Sequence, residues 1–362
     1  MAFDDNRNRL YAQAIEAAVT PESVVLDLGA GIGVLGLIAA AAGAKRVYLV
    51  EPEPIVNVAM EIARANNLAD KIVILQGKIE DVELPEKVDI IISVFTGNLL
   101  FSEDLLPSLF YARDHHLKPG GNLIPDQAEL LLSPISAPEV HHKYIGRWSE
   151  PNLGQDYSPG RRFAANEIIW LDRKNLSFER LSPASTATSV DLTTATHGHC
   201  DGNALVTIDN TGLCHGLLCS IKIKLGEQWL DTDPHSADVH WSPVMLPFDP
   251  PLVLRESEQL NMTLTRPCYG DWTWAARTDS HCDRHSTFLA RIDGHRYLRR
   301  MIPNHRPGLN LRGGHTLLTL KLIAEGQSNG EIIAALTTSA TPLDEDRARQ
   351  LVQSLVLKFG KE

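Results

Sequence analysis

The segment V-L-D-L-G-A-G-I-G, residues 25–33, restricts what this chain can fold into more than any other. Val24 to Leu28 is apolar except for Asp27, as in a buried parallel strand, and it runs straight into Gly29, Gly31 and Gly33. Glycines at a strand end let backbone approach a ligand closely and take positive φ. The spacing is GxGxG rather than the dinucleotide GxGxxG, with no downstream basic residue placed for a pyrophosphate. A nucleoside carrying an amino-acid tail suits this loop better. The next strand, V-Y-L-V-E-P, ends at Glu51 and Pro52, one βαβ step from Asp27. A carboxylate there can accept hydrogen bonds from both ribose hydroxyls. The third strand leads into Gly77, Lys78, Ile79 and Glu80, which puts Glu80 where it could receive an adenine amino group. A single GxG turn is more often tight packing, and a strand-end Glu is more often merely solvated. The order and spacing of all the pieces carry the reading.

Alternation of strand and helix continues around this loop. Helices are expected at 7–19, 36–42, 55–66 and near 105–114, and strands at 46–50, 72–76 and 88–93. Lys118 to Gly121 reads as a turn before a strand at 122–124. The rhythm predicts a doubly wound, Rossmann-like parallel sheet over residues 1–126. Residues 127–300 change to short alternating or β-branched segments between Pro, Gly, Asn and Asp, which predicts an antiparallel sandwich or barrel. Within it, 158–182 holds a more helical patch, F-A-A-N-E-I-I-W-L-D-R-K-N. After a Pro, Gly, Arg and His-rich stretch at 299–314, residues 315–362 read as a small helical module. Ser328 with Glu331 fits a capping box there, and Thr341 with Asp344 suits the start of the last helix.

With 362 residues, more than one hydrophobic core is expected. Apolar content of 43% and charged content of 22% fit an ordinary globular protein. No apolar run reaches the ~18 residues needed to span a bilayer, so no membrane partner is expected. The start lacks a secretory layout, and the cytoplasm is the default location. A net charge of −11 argues against nucleic acid, which rewards a basic face. The five cysteines do not suggest a disulfide framework. No metal site is expected: His281 and His285 have a ligand-like spacing but no cysteine pair, and Cys214 and Cys219 fall in an expected core strand.

The stretches D-D-N-R-N-R-L-Y, V-L-D-L-G-A-G-I-G-V-L-G, G-K-I-E-D-V-E-L-P-E-K-V-D-I-I-I-S and Y-A-R-D-H-H-L-K-P-G-G resemble the protein arginine N-methyltransferase family, as do I-P-D at 124–126 and V-H-W at 239–241. The resemblance covers roughly residues 1–300. It implies a class I methyltransferase that uses S-adenosyl-L-methionine, with a Rossmann-like domain, a β-barrel domain and a dimerisation arm mapping to 158–182. It also implies a homodimer. Arg7 would meet the methionine carboxylate, Asp27 and the three glycines the methionine and ribose, Glu51 the ribose and Glu80 the adenine. His240 and Trp241 would close the acceptor pocket.

Two departures shape the expected chemistry. The family places two glutamates in S-E-x-x-G-x-x-x-x-x-E, whereas this chain reads S-V-F-T-G-N-L-L-F-S-E. Glu103 matches the second, while Val94, followed by Phe95, replaces the first. Two carboxylates fix a forked guanidinium and enrich its attacking nitrogen, and one compensates the cation less in a desolvated pocket. Met1 falls where the family already has a helix over the cofactor, so that lid is expected to be shortened. The expected activity is methyl transfer to a nitrogen of a peptide or small molecule, with Glu103 and His240 as catalytic candidates. Glu103 also has a plain reading, a cap for the following helix, and His240 could be a packed loop histidine. The alternatives are arginine methylation through Glu103 alone and, from another class, a cofactor-binding scaffold. The helical C-terminal module resembles winged-helix or PqqD-like modules, which implies either peptide binding or a packing role.

Overall fold

The computed structural model describes residues 2–97, 99–173, 176–291 and 308–359. Its first half alternates in chain order: α1 (Asp5–Ala18), β1 (Val24–Leu28), α2 (Val34–Ala41), β2 (Arg46–Glu51), α3 (Val56–Ala65), β3 (Ile72–Gln76), β4 (Val88–Ser93), α4 (Leu106–His116) and β5 (Leu117–Ile124). The five strands are parallel, in the order β3-β2-β1-β4-β5. β1 lies near the centre with every residue buried, which is why its sequence is a run and not an alternation. The expected turn at 118–121 survives inside β5. Val88 pairs with Leu117 and Ile90 with Asn122, so Lys118 to Gly121 bulge out of the ladder.

The second region comprises β6 (Gln127–Ser136), α5 (Pro138–Tyr144), α6 (Arg161–Ala164), β7 (Ile169–Trp170), β8 (Glu179–Arg180), β9 (Ser185–Asp191), β10 (Cys200–Thr207), β11 (Gly212–Leu225), β12 (Gln228–Asp231), β13 (Val244–Leu254), β14 (Gln259–Arg266), β15 (Thr273–Arg277), β16 (Cys282–Ser286) and α7 (Thr287–Ala290). Its strands pair antiparallel in two sheets. One follows β7-β13-β11-β6-β8, with β12 added to β11 and β9 to β6, and the other follows β10-β14-β15-β16. The fully buried Trp274 on β15 ties them together, donating Nε1–H to the Pro247 carbonyl on β13 at 2.8 Å. Cys214 and Cys219 are buried within β11, and burial pushes the Cys214 thiol up to about 12. Both are core residues.

The helical patch expected near 163–175 is shorter than its sequence suggests. Helix ends at Ala164, and Ile169 and Trp170 instead pair with Met245 and Val244 of β13. Ile169 and Leu171 are buried with Ile135, Ile145, Leu218 and Met245, so tertiary packing overrides local helix preference here. Residues 174 and 175 of the expected arm lie outside the described residues, as do 292–300 of the second expected domain and 299–307 of the linking stretch.

The chain divides into two compact units, Met1–Gly294 and His295–Glu362. The second contains helices Leu311–Ala324, Asn329–Thr337 and Glu345–Phe359 around Ile332, Leu336, Ala348 and Val352. The Ser328–Glu331 capping box is formed. At the last helix, Asp344 accepts the Arg347 N–H at 3.0 Å, whereas Thr341 faces His315, so the cap is Asp344. No helix of the described residues is long and apolar enough to cross a membrane.

Candidate active site

The parallel sheet reverses its direction of growth between β1 and β4, and ligands of such sheets bind beyond the carboxyl ends of the strands at that point. The glycine loop lies there. Gly29 and Gly33 have φ of +72° and +77°, conformations that L side chains rarely adopt. At Gly29 a β-carbon would stand 2.3 Å from Cε1 of Phe95, and at Gly33 it would stand 2.8 Å from Cβ of Ala59. Over Gly31 the space is open: a β-carbon there would have no heavy atom within 4 Å.

Glu51 faces this loop from the end of β2. Its Oε2 accepts the Gly31 N–H and its Oε1 the Glu53 N–H, each at 3.0 Å. A carboxylate has about four acceptor positions, so the two oxygens keep capacity for hydroxyl donors. Asp27 is buried, and its Oδ2 accepts the Gly36 N–H of α2 at 2.7 Å. Burial pushes its carboxyl up to about 7, opposed by the Gly36 hydrogen bond and the Arg7 cation. Arg7, on the first turn of α1, is 2% exposed and donates from Nη2 to Asn8 at 2.7 Å. Burial lowers its pKa, while Tyr11, Asp4 and Asp27 act the other way. Pro52 follows Glu51 at the surface. One strand over, Gly77 donates to the Glu51 carbonyl at 3.0 Å, Ile79 is buried, and Lys78 and Glu80 are exposed. Ser108 of α4 donates its hydroxyl to Glu80 at 2.5 Å.

The loop after β4 adjoins this cradle. Tyr11 donates to the Ser93 carbonyl at 2.9 Å and so ties α1 to the end of β4. Val94 is half-buried against the main core, Phe95 lies on Gly29, and Trp241 lies on Gly97, where a β-carbon would be 2.5 Å from its Nε1. Glu103 is exposed further along the loop. The N-cap position of α4 is Leu105, whose side chain makes no capping hydrogen bond.

His240 reaches the site from the loop before β13 and has a partner that the sequence reading missed. Asp4 accepts the His240 backbone N–H at 2.9 Å and its Nδ1 at 2.6 Å through Oδ2, while Oδ1 caps α1 at the Arg7 N–H. Burial would raise the Asp4 carboxyl, but the hydrogen bonds from His240 and Arg7 hold it below its ordinary value. Burial also lowers the His240 pKa, against the pull of Asp4. With Nδ1–H donated to Asp4, Nε2 is the lone-pair nitrogen. A cavity of 470 Å³ lined by Phe3, Asp4, Asp5, Asn6, Asp238, Val239 and His240 opens beside this pair. An acid at the head of D-D-N-R signals a helix cap, and nothing local signals its bond to a histidine 236 positions away.

A family profile described as ribosomal protein L11 methyltransferase (PrmA) matches residues 8–125, the parallel-sheet region. Protein arginine N-methyltransferase 2 of Dictyostelium discoideum is 38% identical over 171 residues, which is 47% of this chain and 33% of that protein. The chain thus spans about a third of the length of that relative. Protein arginine N-methyltransferase 6 of Xenopus laevis is 31% identical over 281 residues, 73% of this chain and 82% of that protein. Among solved structures, the Trypanosoma brucei PRMT1 enzyme–prozyme heterotetrameric complex with AdoHcy superposes with a TM-score of 0.69 at 25% identity, covering 78% of this chain and 94% of that one. Protein arginine methyltransferase 10 of Arabidopsis thaliana, at 22% identity and a TM-score of 0.66 over 78% of this chain and 95% of that one, shares the fold. At 31% identity over 82% of its length, the match with the Xenopus protein establishes that the chain belongs to the protein arginine N-methyltransferase family.

Proposed function

We propose that this chain is an S-adenosyl-L-methionine-dependent N-methyltransferase whose acceptor is a nitrogen of a peptide or small molecule other than the guanidinium of protein arginine. The observation that carries it is Val94. At the end of β4, where its family places a glutamate, an aliphatic side chain packs against the core and leaves Glu103 as the acidic residue of the motif. A guanidinium held by one carboxylate in a desolvated pocket is undercompensated, whereas an imidazole, amide or neutral amine needs less counter-charge.

The cradle suits the cofactor on its own chemistry. Arg7 offers a buried cation for a carboxylate, Asp27 a buried carboxyl for an ammonium, Glu51 acceptors for ribose hydroxyls and Glu80 an acceptor for an adenine amino group. Open space above Gly31 leaves room for the ligand. When bound, the cofactor supplies a methyl group activated on sulfonium sulfur. The acceptor nitrogen would take that methyl group, leaving the carbon–sulfur electron pair on sulfur. This chain's task is alignment and proton removal. Glu103 orients the acceptor and Trp241 closes the pocket. His240, held by Asp4, takes the departing proton at Nε2.

Incubation with methyl-labelled cofactor and a pool of histidine, amide, amine and arginine acceptors tests this. Transfer to a non-guanidinium acceptor is expected, and Val94→Glu should shift activity toward arginine peptides. Arginine transfer by the wild-type chain would favour the second reading, which the family itself and the carboxylates of Asp5 and Asp238 beside His240 support. Cofactor binding without transfer to any acceptor would leave a scaffold. A homodimer through 158–182 belongs to the same proposal, as does a packing or a peptide-binding role for the C-terminal helices.

A further inference from the structure

We infer that Arg266 is a positioning residue for Glu103, acting through Asp104. The inference rests on the reading of Glu103 as the acceptor-orienting carboxylate. β14 alternates, and Leu260, Met262, Leu264 and Arg266 all fall on its buried face. The strand period therefore sends a guanidinium into the interior, where it is 6% exposed and needs compensation. Its guanidinium donates to the loop between β4 and α4. Nη1 donates to the Phe101 carbonyl at 2.7 Å and to Asp104 Oδ1 at 2.6 Å, and Nη2 donates to Asp104 Oδ2 at 2.6 Å. Asp104 also accepts the Tyr269 N–H at 2.8 Å, and the Trp272 ring lies 5.7 Å from the guanidinium carbon.

These anchors bracket Glu103, with Phe101 two residues before it and Asp104 directly after. The loop needs such fixing. Leu99, Leu100 and Asp104 have φ of +59°, +57° and +55°, which non-glycine residues adopt only when their surroundings impose it. Leu105, at the N-cap of the following helix, has no side-chain hydrogen bond that would set the loop. A planar fork fixes both the place and the orientation of its partner, which a lysine ammonium cannot do. The hydrogen bond from Arg266, before every other influence, holds the Asp104 carboxyl below its ordinary value, so the pair stays ionised at neutral pH. In a chain with valine where the first acid would be, the placement of Glu103 falls to this pair.

Epistasis separates positioning from plain structural support. Arg266→Lys in the full chain should lower kcat on the acceptor found in the pool about tenfold, with cofactor affinity within about twofold of wild type. Asp104→Asn should do the same. In a Glu103→Gln background, Arg266→Lys should cost less than about twofold, because the carboxylate it positions is gone. Equal losses in both backgrounds, or a matching loss of cofactor affinity, would overturn the inference. If the wild-type chain binds cofactor but methylates nothing in the pool, the transfer reading fails instead. Amide exchange then decides the inference: Arg266→Lys must expose residues 100–104 to faster exchange, and unchanged protection there overturns it.

Discussion

At Asp27 a buried carboxyl pushed up to about 7 sits between the Arg7 cation and Glu51. Because its folded value lies above its unfolded 3.8, the folded chain binds the extra proton between those values. Stability of the ligand-free chain therefore falls as pH rises through that window. An ammonium placed beside Asp27 reverses the preference, so cofactor binding should release a proton and tighten as pH rises from about 6 to 8. Calorimetric titration in buffers of different ionisation enthalpy measures this, and Asp27→Asn should abolish the pH dependence. An unchanged profile in that variant would place the ionisation elsewhere. Asp4 yields a second test. Asparagine still caps α1, but it removes the charge that holds His240 up. Asp4→Asn should thus lower the His240 pKa further, seen by imidazole NMR, and reduce kcat roughly 10- to 100-fold, the range of general acid–base effects. That Glu51 faces the glycine loop, where it accepts the Gly31 N–H, was legible because it sits at a fixed step from a strand end. Asp4 and Arg266 were not, because their roles depend on partners more than 160 positions away.

Among the elements, β1 and β4 were legible because strands buried on both faces are written as apolar runs, and both occur at the bounds their sequences suggest. β9, β12, β15 and β16 were not: T-A-T-S, Q-W-L-D, W-A-A-R and D-R-H-S carry little apolar alternation and become strands by pairing with neighbours. The helical look of 163–175 stopped short for the same reason, since β13 supplied Ile169 and Trp170 with a ladder that local propensity could not foresee. The glycine loop makes an element-scale prediction. Gly33 precedes α2 at φ +77°, with Ala59 of α3 and Leu49 of β2 in the way of any side chain. Gly33→Ala should destabilise the first unit by about 1–3 kcal/mol, the usual cost of overpacking with backbone strain. Urea unfolding measures it, and a loss below about 0.5 kcal/mol would mean that α2 and α3 can part more easily than their packing implies.

At the scale of the molecule, each of the units Met1–Gly294 and His295–Glu362 has, among the described residues, a buried apolar cluster of its own. Each core can therefore be lost without emptying the other. Saturating cofactor stabilises only the unit that binds it, by roughly 2.7 kcal/mol at 100 times Kd. Every proposed cofactor contact lies within residues 7–80. Scanning calorimetry of the full chain should show two transitions, with cofactor raising the larger by about 3–6 °C and leaving the smaller in place. Ser328→Ala should do the opposite. It removes the capping box of the helix Asn329–Thr337, worth about 1 kcal/mol, and should lower only the smaller transition. If cofactor moved both transitions together, the C-terminal helices would have to be energetically coupled to the glycine loop. Their assignment as a separate module would then give way to one cooperative structure.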